Sequence, residues 1–553
     1  MYGALLHPAV TTMISRMKRW LFALAVAASV LMRTEAQASV NLPLHHWVYQ
    51  DIERLTAMGT IDRAMVTAKP YSRKLAAQYV ARAIHRTHVE HDGREVVTAP
   101  LLTRLVQELR PELIQLGIIE PAAGEKPGMI RYGGRLQVEL DQFRMSTIQP
   151  VRPRENSGGE YYTDGTHAQT DVQGWLEVGD WAALTVQPKF ISDPRALGIE
   201  PTPNDEHAYL REGSLKFTAF NVTVEVGRTS QWWGTGYRGS LLVTDHGFPL
   251  DMVKLGTEEP FRLPGSLSWM GEWKIDTFLA RLDSSTDFPR TKVFGLRINA
   301  LPVDWLELGF TRLTQFDWPG FNQKFPDAVR DAYTSSANQS GTDEVNEQVM
   351  IDFRVRIPKV PYVVPFPAGM QFYGEIGSED KWSKWVPTRG AFVAGIYIPQ
   401  LIADDTVDLR IEYADTDYPR RHSDLSNVWY NNATYTTGMR ERGFPLGHWM
   451  GTDATDIFVR ATRRMTPQLQ LGLNLDLAER GQGNAPVHET KREVAVDLTW
   501  WFSYATQLTV GYTRQWLNNP GQMISVSPAY VENFPGSATA INNLVWAKLV
   551  TEF

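Results

Sequence analysis

Two periods of hydrophobicity divide the chain. From residue 43 to about residue 116, apolar positions recur every three or four residues. Val48, Ile52 and Leu55 fall at i, i+4 and i+7, which predicts one face of a helix. Ser72 is placed to cap a second helix whose apolar face is Ala76, Val80, Ala83 and Ile84. Thr98 and Pro100 are placed to open a third, with Leu102, Leu105, Val106 and Leu109 on one side and Gly117 to end it. Three short amphipathic helices form a small bundle or dock on something larger. The stretch 120–128, rich in Pro, Gly and Ala, reads as a linker.

After Ile130 the period falls to two. Leu469, Leu471, Leu473, Leu475 and Leu477 alternate with Gln470, Gly472, Asn474 and Asp476. Val349, Ile351, Phe353 and Val355 alternate with Met350, Asp352 and Arg354; Val407, Leu409, Ile411 and Tyr413 alternate with Asp408, Arg410 and Glu412. Val494, Val496, Leu498 and Trp500 repeat the pattern. Each strand has one apolar and one polar face, as in a half-exposed soluble sheet or a transmembrane barrel.

The connections separate these two. About 18 strands are expected, beginning near 131–143. Long connections are expected at 145–170, 191–211, 229–265, 315–347, 378–389, 414–455, 480–490 and 517–542, with a shorter one at 283–291. Tight turns are expected between them, at 179–180, 220–221, near Lys274, and at 301–304, 400–406, 464–468 and 502–506; only 358–368 is long in this set. One rim of loops and one of turns is the layout of an outer-membrane barrel. An even strand count places both barrel ends, and the helical segment, in the periplasm. The final strand, 544–553, alternates back from Phe553 through Thr551, Leu549, Ala547 and Val545. A terminal aromatic of this kind resembles the signal read by the barrel-assembly machinery.

Composition is compatible with this reading. The 553 residues carry a net charge of −7, which excludes a nucleic-acid binder driven by bulk positive charge. A mean hydropathy of −0.29 excludes a polytopic helical membrane protein but not a barrel. There is no Cys, so disulfides, thiolate metal sites and cysteine nucleophiles are excluded. Arg16, Lys18 and Arg19, then an apolar run to Met32, then Ala36-Gln37-Ala38, predict a secretory signal peptide over residues 1–38. Residues 39–128 are then the periplasmic helical bundle and linker, and 129–553 the barrel with long extracellular loops. Several of the 18 Trp, among them Trp175, Trp181, Trp273, Trp305, Trp500, Trp501 and Trp516, fall at expected strand ends, where they suit a bilayer interface.

No metalloprotease, nucleophile-elbow or phosphate-loop motif occurs. His45-His46 reads as a surface or packing pair. Asp415-Thr416-Asp417 and the acids between Asp453 and Asp456 read as solvated loop acids, with calcium as the alternative. No catalytic residue, metal or cofactor is expected, and the protein is read as a non-enzyme. The densest cluster is 227–240, which holds Trp232, Trp233, Tyr237 and Arg238 among glycines. Flat aromatic faces beside Arg suit the apolar faces and hydroxyls of sugar rings. The structural reading is a loop folded into the barrel mouth, with Trp as packing and Gly as geometry.

This cluster resembles the G-R-x-x-x-W-W-G-x-G-x-x-G-S block of the Wzi-type capsule-assembly family. The segments 267–273, 277–282 and 303–312, the last containing Trp305-Leu306-Glu307-Leu308-Gly309, are similar to the blocks that follow, and 47–55 and 72–84 to the opening helices. The resemblance implies an 18-stranded all-β barrel of the Gram-negative outer membrane, preceded by a small α-helical bundle. It implies a lectin-like protein that attaches or assembles capsular or exopolysaccharide, with outer-membrane lipid and the barrel-assembly machinery as its other partners. The alternative is a porin or polysaccharide-export channel. Asp352, Arg354, Arg410, Glu412 and Asp476 fit either a polar pore or a lumen stapled shut by ion pairs.

Overall fold

A computed structural model describes residues 38–553, apart from 88–94, 124, 126–127, 147–150, 198–205, 285, 287, 318–344, 360–363, 365, 380–381, 384–385, 388–389, 404, 419–428, 433, 482–487 and 520–538. The expected leader therefore lies outside the described residues, apart from Ala38.

Eighteen antiparallel strands close into one barrel. They are β1 Ile130–Arg144, β2 Gly165–Val178, β3 Ala182–Ile191, β4 Ala208–Ala219, β5 Val222–Thr229, β6 Leu250–Thr257, β7 Glu272–Arg281, β8 Lys292–Val303 and β9 Leu306–Phe316. The second half is β10 Asn346–Ile357, β11 Met370–Glu379, β12 Gly390–Ile398, β13 Asp408–Tyr418, β14 Ala454–Thr466, β15 Leu469–Arg480, β16 Glu489–Trp501, β17 Thr506–Asn518 and β18 Thr539–Glu552. Neighbours in sequence pair around the circle, and β18 closes on β1 from Arg135↔Glu552 to Arg144↔Asn543. Phe553 lies at this seam, its N–H donating to the Gly134 carbonyl at 3.0 Å.

The two-residue period sets the wall. Leu471, Leu473, Leu475 and Leu477 are exposed on the outer face, with Ile351 and Phe353, while Asp352, Arg354, Arg410, Glu412 and Asp476 are buried inside. Arg297 of β8 forms an ion pair with Asp352 in the lumen, with both side chains fully enclosed. An alternating wall is stable only if lipid covers the apolar face and the polar face finds partners within. Trp181, Trp305, Trp500 and Trp516 are half-exposed near strand ends. Trp501 departs from the interfacial expectation: it faces inward, and Arg104 of the helical segment stacks on it at 4.1 Å.

One expected turn is corrected. Lys274 lies within β7, paired with Asn299, and points into the lumen. The strand that the sequence reading absorbed into a long loop is β6, where Val253 and Leu255 face outward and Met252 and Lys254 inward. A lysine among inward positions looks like a turn residue until the lumen is known to be polar.

Among the described residues four helices precede the barrel: α1 Trp47–Met58, α2 Arg73–Thr87, α3 Glu95–Glu108 and α4 Arg110–Gln115. Gly59 ends α1 in the left-handed region at φ 77°. Ser72 Oγ accepts from Leu75 N at 3.2 Å, as a cap should. The third helix begins earlier than its Thr98–Pro100 signal, so Pro100 lies inside it; burial of Val97 in the helical core stabilises that extra turn. The helices share a core of Val48, Ile52, Leu55, Val80, Leu101 and Leu105. They dock on the turn rim. Arg54 donates to the carbonyls of Pro399 and Thr406 at 3.0 and 2.6 Å, Arg63 pairs with Asp304 at 2.5 Å, and Ala38 N donates to Asp180 O at 2.8 Å.

Candidate functional site

The lumen is occupied from both ends. From the helical side, residues 66–71 reach inward, and Ala68–Lys69 pairs antiparallel with Trp232–Trp233 of the 230–249 segment, which enters from the loop rim. The Gly234 N–H donates to the Thr67 carbonyl at 2.8 Å and the Trp233 N–H to the Val243 carbonyl at 3.0 Å. Two segments far apart in sequence thus form one short ribbon in the middle of the barrel.

Inward carboxylates fix the rest of the segment. Glu375 of β11 accepts from the Gly236 and Leu241 amides at 2.7 and 2.8 Å and from the Ser240 hydroxyl at 3.1 Å. Glu412 of β13 accepts from the Tyr237 and Arg238 amides at 2.7 and 2.8 Å and from the Tyr373 hydroxyl at 2.8 Å. A loop that leaves water must find acceptors for its amides, and these two side chains supply them. The glycines are steric. A Cβ on Gly234, where φ is 139°, would lie 2.2 Å from Ser240 Oγ, and one on Gly236 would lie 2.0 Å from the Gly239 carbonyl. No larger residue fits that turn without displacing it.

Arg238 is the electrostatic centre. Its guanidinium meets Asp476 of β15 at 2.5 Å and pairs with Glu155 from the first long connection. Lys491 of β16 pairs with the same Glu155 and lies 3.4 Å from Asp476. Burial works against the charge on Arg238, but Glu155 and Asp476 outweigh it and hold its pKa well above the ordinary arginine value. The Trp449 and Phe458 rings lie beneath the guanidinium at 4.9 and 5.2 Å. Tyr237 stacks on Phe458 at 5.9 Å, and Arg410 covers its ring at 4.4 Å.

A second segment, residues 429–453, packs on the first from the loop side. The Tyr430 hydroxyl donates to the Leu241 carbonyl at 2.5 Å and accepts from His448 N at 2.7 Å, and Thr244 N donates to Leu446 O at 2.7 Å. Burial pushes the imidazoles of His246 and His448 down to about 3, so both are neutral at physiological pH.

The four candidate residues of the cluster are thus brought together inside the barrel rather than on a loop tip. Trp233 is 1 % exposed and packs on Phe278 at 5.0 Å, and Trp232 Nε1 donates to the Gly236 carbonyl at 3.2 Å. Tyr237 and Arg238 are half-buried. The expectation of solvated acids is corrected: Asp415, Asp453 and Asp456 are buried at the loop-rim ends of β13 and β14, where Asp456 shares the inward face with Phe458 and Asp415 accepts from the Tyr413 hydroxyl at 3.2 Å. His45 and His46 divide. His46 accepts from Val48 N, caps α1, and meets Glu552 at 2.6 Å, while His45 pairs with Asp245 of the inserted segment. His46, Glu108 and Glu552 converge closely enough to ligate a metal. Arg73, 2.6 Å from Glu108 and 3.9 Å from Glu552, already supplies positive charge there.

Sequence reasoning missed Glu375, Glu155 and Lys491. Glu375 carried one usable signal, an acid at an inward position of an alternating strand, the same signal that identified Glu412.

Comparison with known proteins agrees with this architecture. The family described as capsule assembly protein Wzi matches residues 150–523, well over half of the chain. This chain belongs to that family. Among solved structures, that of Wzi from Escherichia coli, described as an outer-membrane protein involved in group 1 capsule assembly and a carbohydrate-binding β-barrel, superposes with a TM-score of 0.65. It shares 17 % identity, and the match covers 92 % of this chain and 99 % of that one. A curated relative from Klebsiella pneumoniae, an uncharacterized 55.8 kDa protein in the cps region, is 25 % identical over 363 residues, or 64 % of this chain. The match spans 62 % of that relative's length. The chain is an outer-membrane β-barrel protein of the capsule-assembly family.

Proposed function

We propose that this protein is a lectin-like, non-enzymatic holder of polysaccharide, which attaches or assembles capsular or exopolysaccharide at the cell surface. The observation that carries the reading is the filled lumen. Residues 230–249, pinned by Glu375, Glu412 and the Arg238–Glu155–Asp476–Lys491 network, make a floor across the barrel where a conduit would need a path. A polymer too bulky to enter rests on such a floor and on the long loops around it. Trp232 and Trp233 form its frame; the space beside Tyr237 is shared with Glu53, Arg54 and Arg410 on the helical side, so Arg238, beside Glu155 and Trp449 of the loop side, is the residue of this cluster offered to a sugar ring. The carbohydrate-binding description of the similar Escherichia coli barrel favours the same reading.

In this proposal residues 1–38 are a cleaved leader, residues 39–128 lie in the periplasm, and Phe553 at the closing seam is read by the barrel-assembly machinery. The test is deletion in the host, with polysaccharide retained on cells compared with that released into the medium. Release with undiminished synthesis is expected; unchanged retention would overturn the proposal. Planar-bilayer recordings address the channel alternative, for which steady large conductance would be required and silence is expected.

A further inference from the structure

Arg228, Asp251 and Arg281 form a cross-strand row at the loop ends of β5, β6 and β7, in register as Arg228↔Asp251↔Arg281, and Arg281 is paired onward with Lys292 of β8. Their neighbours Met252 and Ala280 point into the lumen core, so the row points outward, away from the lumen. Two positions further down the same strands, the outward residues are Val226, Val253 and Leu279. The charges therefore sit about 7 Å above the apolar wall, at the level where a lipid's polar head begins.

Loop residues complete a cleft of about 190 Å³ over this row, to which Phe248, Arg290, Glu441 and Arg442 contribute. Phe248 lies between two guanidinium groups, Arg442 at 3.5 Å and Arg228 at 5.3 Å from its ring centre. Arg228 is neutralised by Asp251, with bonds of 2.8 and 3.0 Å. Arg281 and Arg290 have no ion pair and no side-chain hydrogen bond among the described residues. The cleft holds the cations Arg228, Arg281, Arg290 and Arg442 against Asp251, Asp283 and Glu441. Burial, with Asp283 beside it, pushes the Glu441 carboxyl up to about 8, so it is largely uncharged at neutral pH and the cations are in excess.

We infer that this cleft binds the phosphorylated saccharide head group of an outer-leaflet glycolipid, with Arg281 and Arg290 as the phosphate ligands. Guanidinium forks match phosphate oxygens in charge and geometry. Basic pockets at the head-group level of a membrane protein recruit anionic lipids in this way. The direction of the row favours a lipid over the polymer above the barrel, since Arg228 and Arg281 project sideways over the wall.

The test uses the full-length protein in detergent and fluorescently labelled deep-rough lipopolysaccharide, with three further probes: its dephosphorylated form, phosphatidylethanolamine and soluble polygalacturonate. The double variant R281Q/R290Q is expected to bind the phosphorylated lipid about tenfold more weakly, and the single variant Arg290→Gln about threefold more weakly. Neither should change binding of the dephosphorylated form or heat-modifiable migration on gels. Arg463→Gln, on the turn rim where Arg463 pairs with Asp405, should match the unaltered protein. Unchanged affinity of the double variant for the phosphorylated lipid would overturn the inference. Equal loss for both lipid forms would overturn it too, as would a loss confined to polygalacturonate.

Discussion

The two bodies that close this barrel are built in opposite ways. The helical segment packs through aliphatic side chains, with Val48, Ile52, Val80 and Leu105 all fully buried against one another. The inserted segment 230–249 is held largely through its backbone, whose amides donate to Glu375 and Glu412 across 134 to 175 residues of sequence. Apolar packing is non-directional and degrades gradually when an atom is lost. A buried acceptor is directional, and its removal strands several donors at once. The helical cap should therefore tolerate substitution better than the plug.

The largest effect should come from Glu375→Ala, which leaves the Gly236 and Leu241 amides without an acceptor while the Ser240 hydroxyl keeps the Trp233 carbonyl at 2.5 Å. A loss of about 4 kcal/mol is expected, read as a lower temperature for the heat-modifiable gel transition and as intermittent conductance in planar bilayers. A silent bilayer and an unchanged transition would mean that the acceptor does not hold the plug. Arg238→Met should follow at about 3 kcal/mol, because among the described residues Asp476 and Glu155 then keep Lys491 alone as an ion-pair partner; restoring balance with Asp476→Asn in the same chain should recover part of it. In the cap, Val80→Ala should cost about 2 kcal/mol, detectable by limited proteolysis of the helices with the barrel's migration unaltered. If it also opened the plug to conductance, the two bodies would be one cooperative unit.

The smallest expected effect is on pH. The folded pKa values of His246 and His448 are about 3, below the ordinary value of 6.5, chiefly through burial. Their contribution is therefore fully present above pH 6.5 and is lost as pH falls from 6.5 toward 3. On the order of 1 kcal/mol should be lost for each by pH 6, and H448N should flatten part of that slope. A transition temperature that fell instead between pH 7 and 8 would place the sensitive groups elsewhere.

The periodicities located the helical cap and the wall. Val48, Ile52 and Leu55 identified the first helix, the leucines of β15 identified lipid-facing positions, and the alternation of long and short connections ordered the rims. The sequence misplaced one turn, at Lys274, and read Asp415 and Asp456 as solvent-facing, because a lysine or aspartate carries no mark of whether its surroundings are water or a polar lumen. The glycine and tryptophan cluster was legible as a special structure, but its position was not. The same residues suit a surface loop or an inward fold.

The sequence by itself determined the alternation, the even wall of about eighteen strands and the division into helical and strand segments, since these depend on residues a few positions apart. Only the tertiary structure decided whether the lumen is filled. That depends on Glu375 meeting the amides of residues 236 and 241, on Asp476 meeting Arg238, and on Ala68 pairing with Trp233. Closure of the barrel brings these groups within hydrogen-bonding range, and no local pattern encodes which inward charge will face which loop.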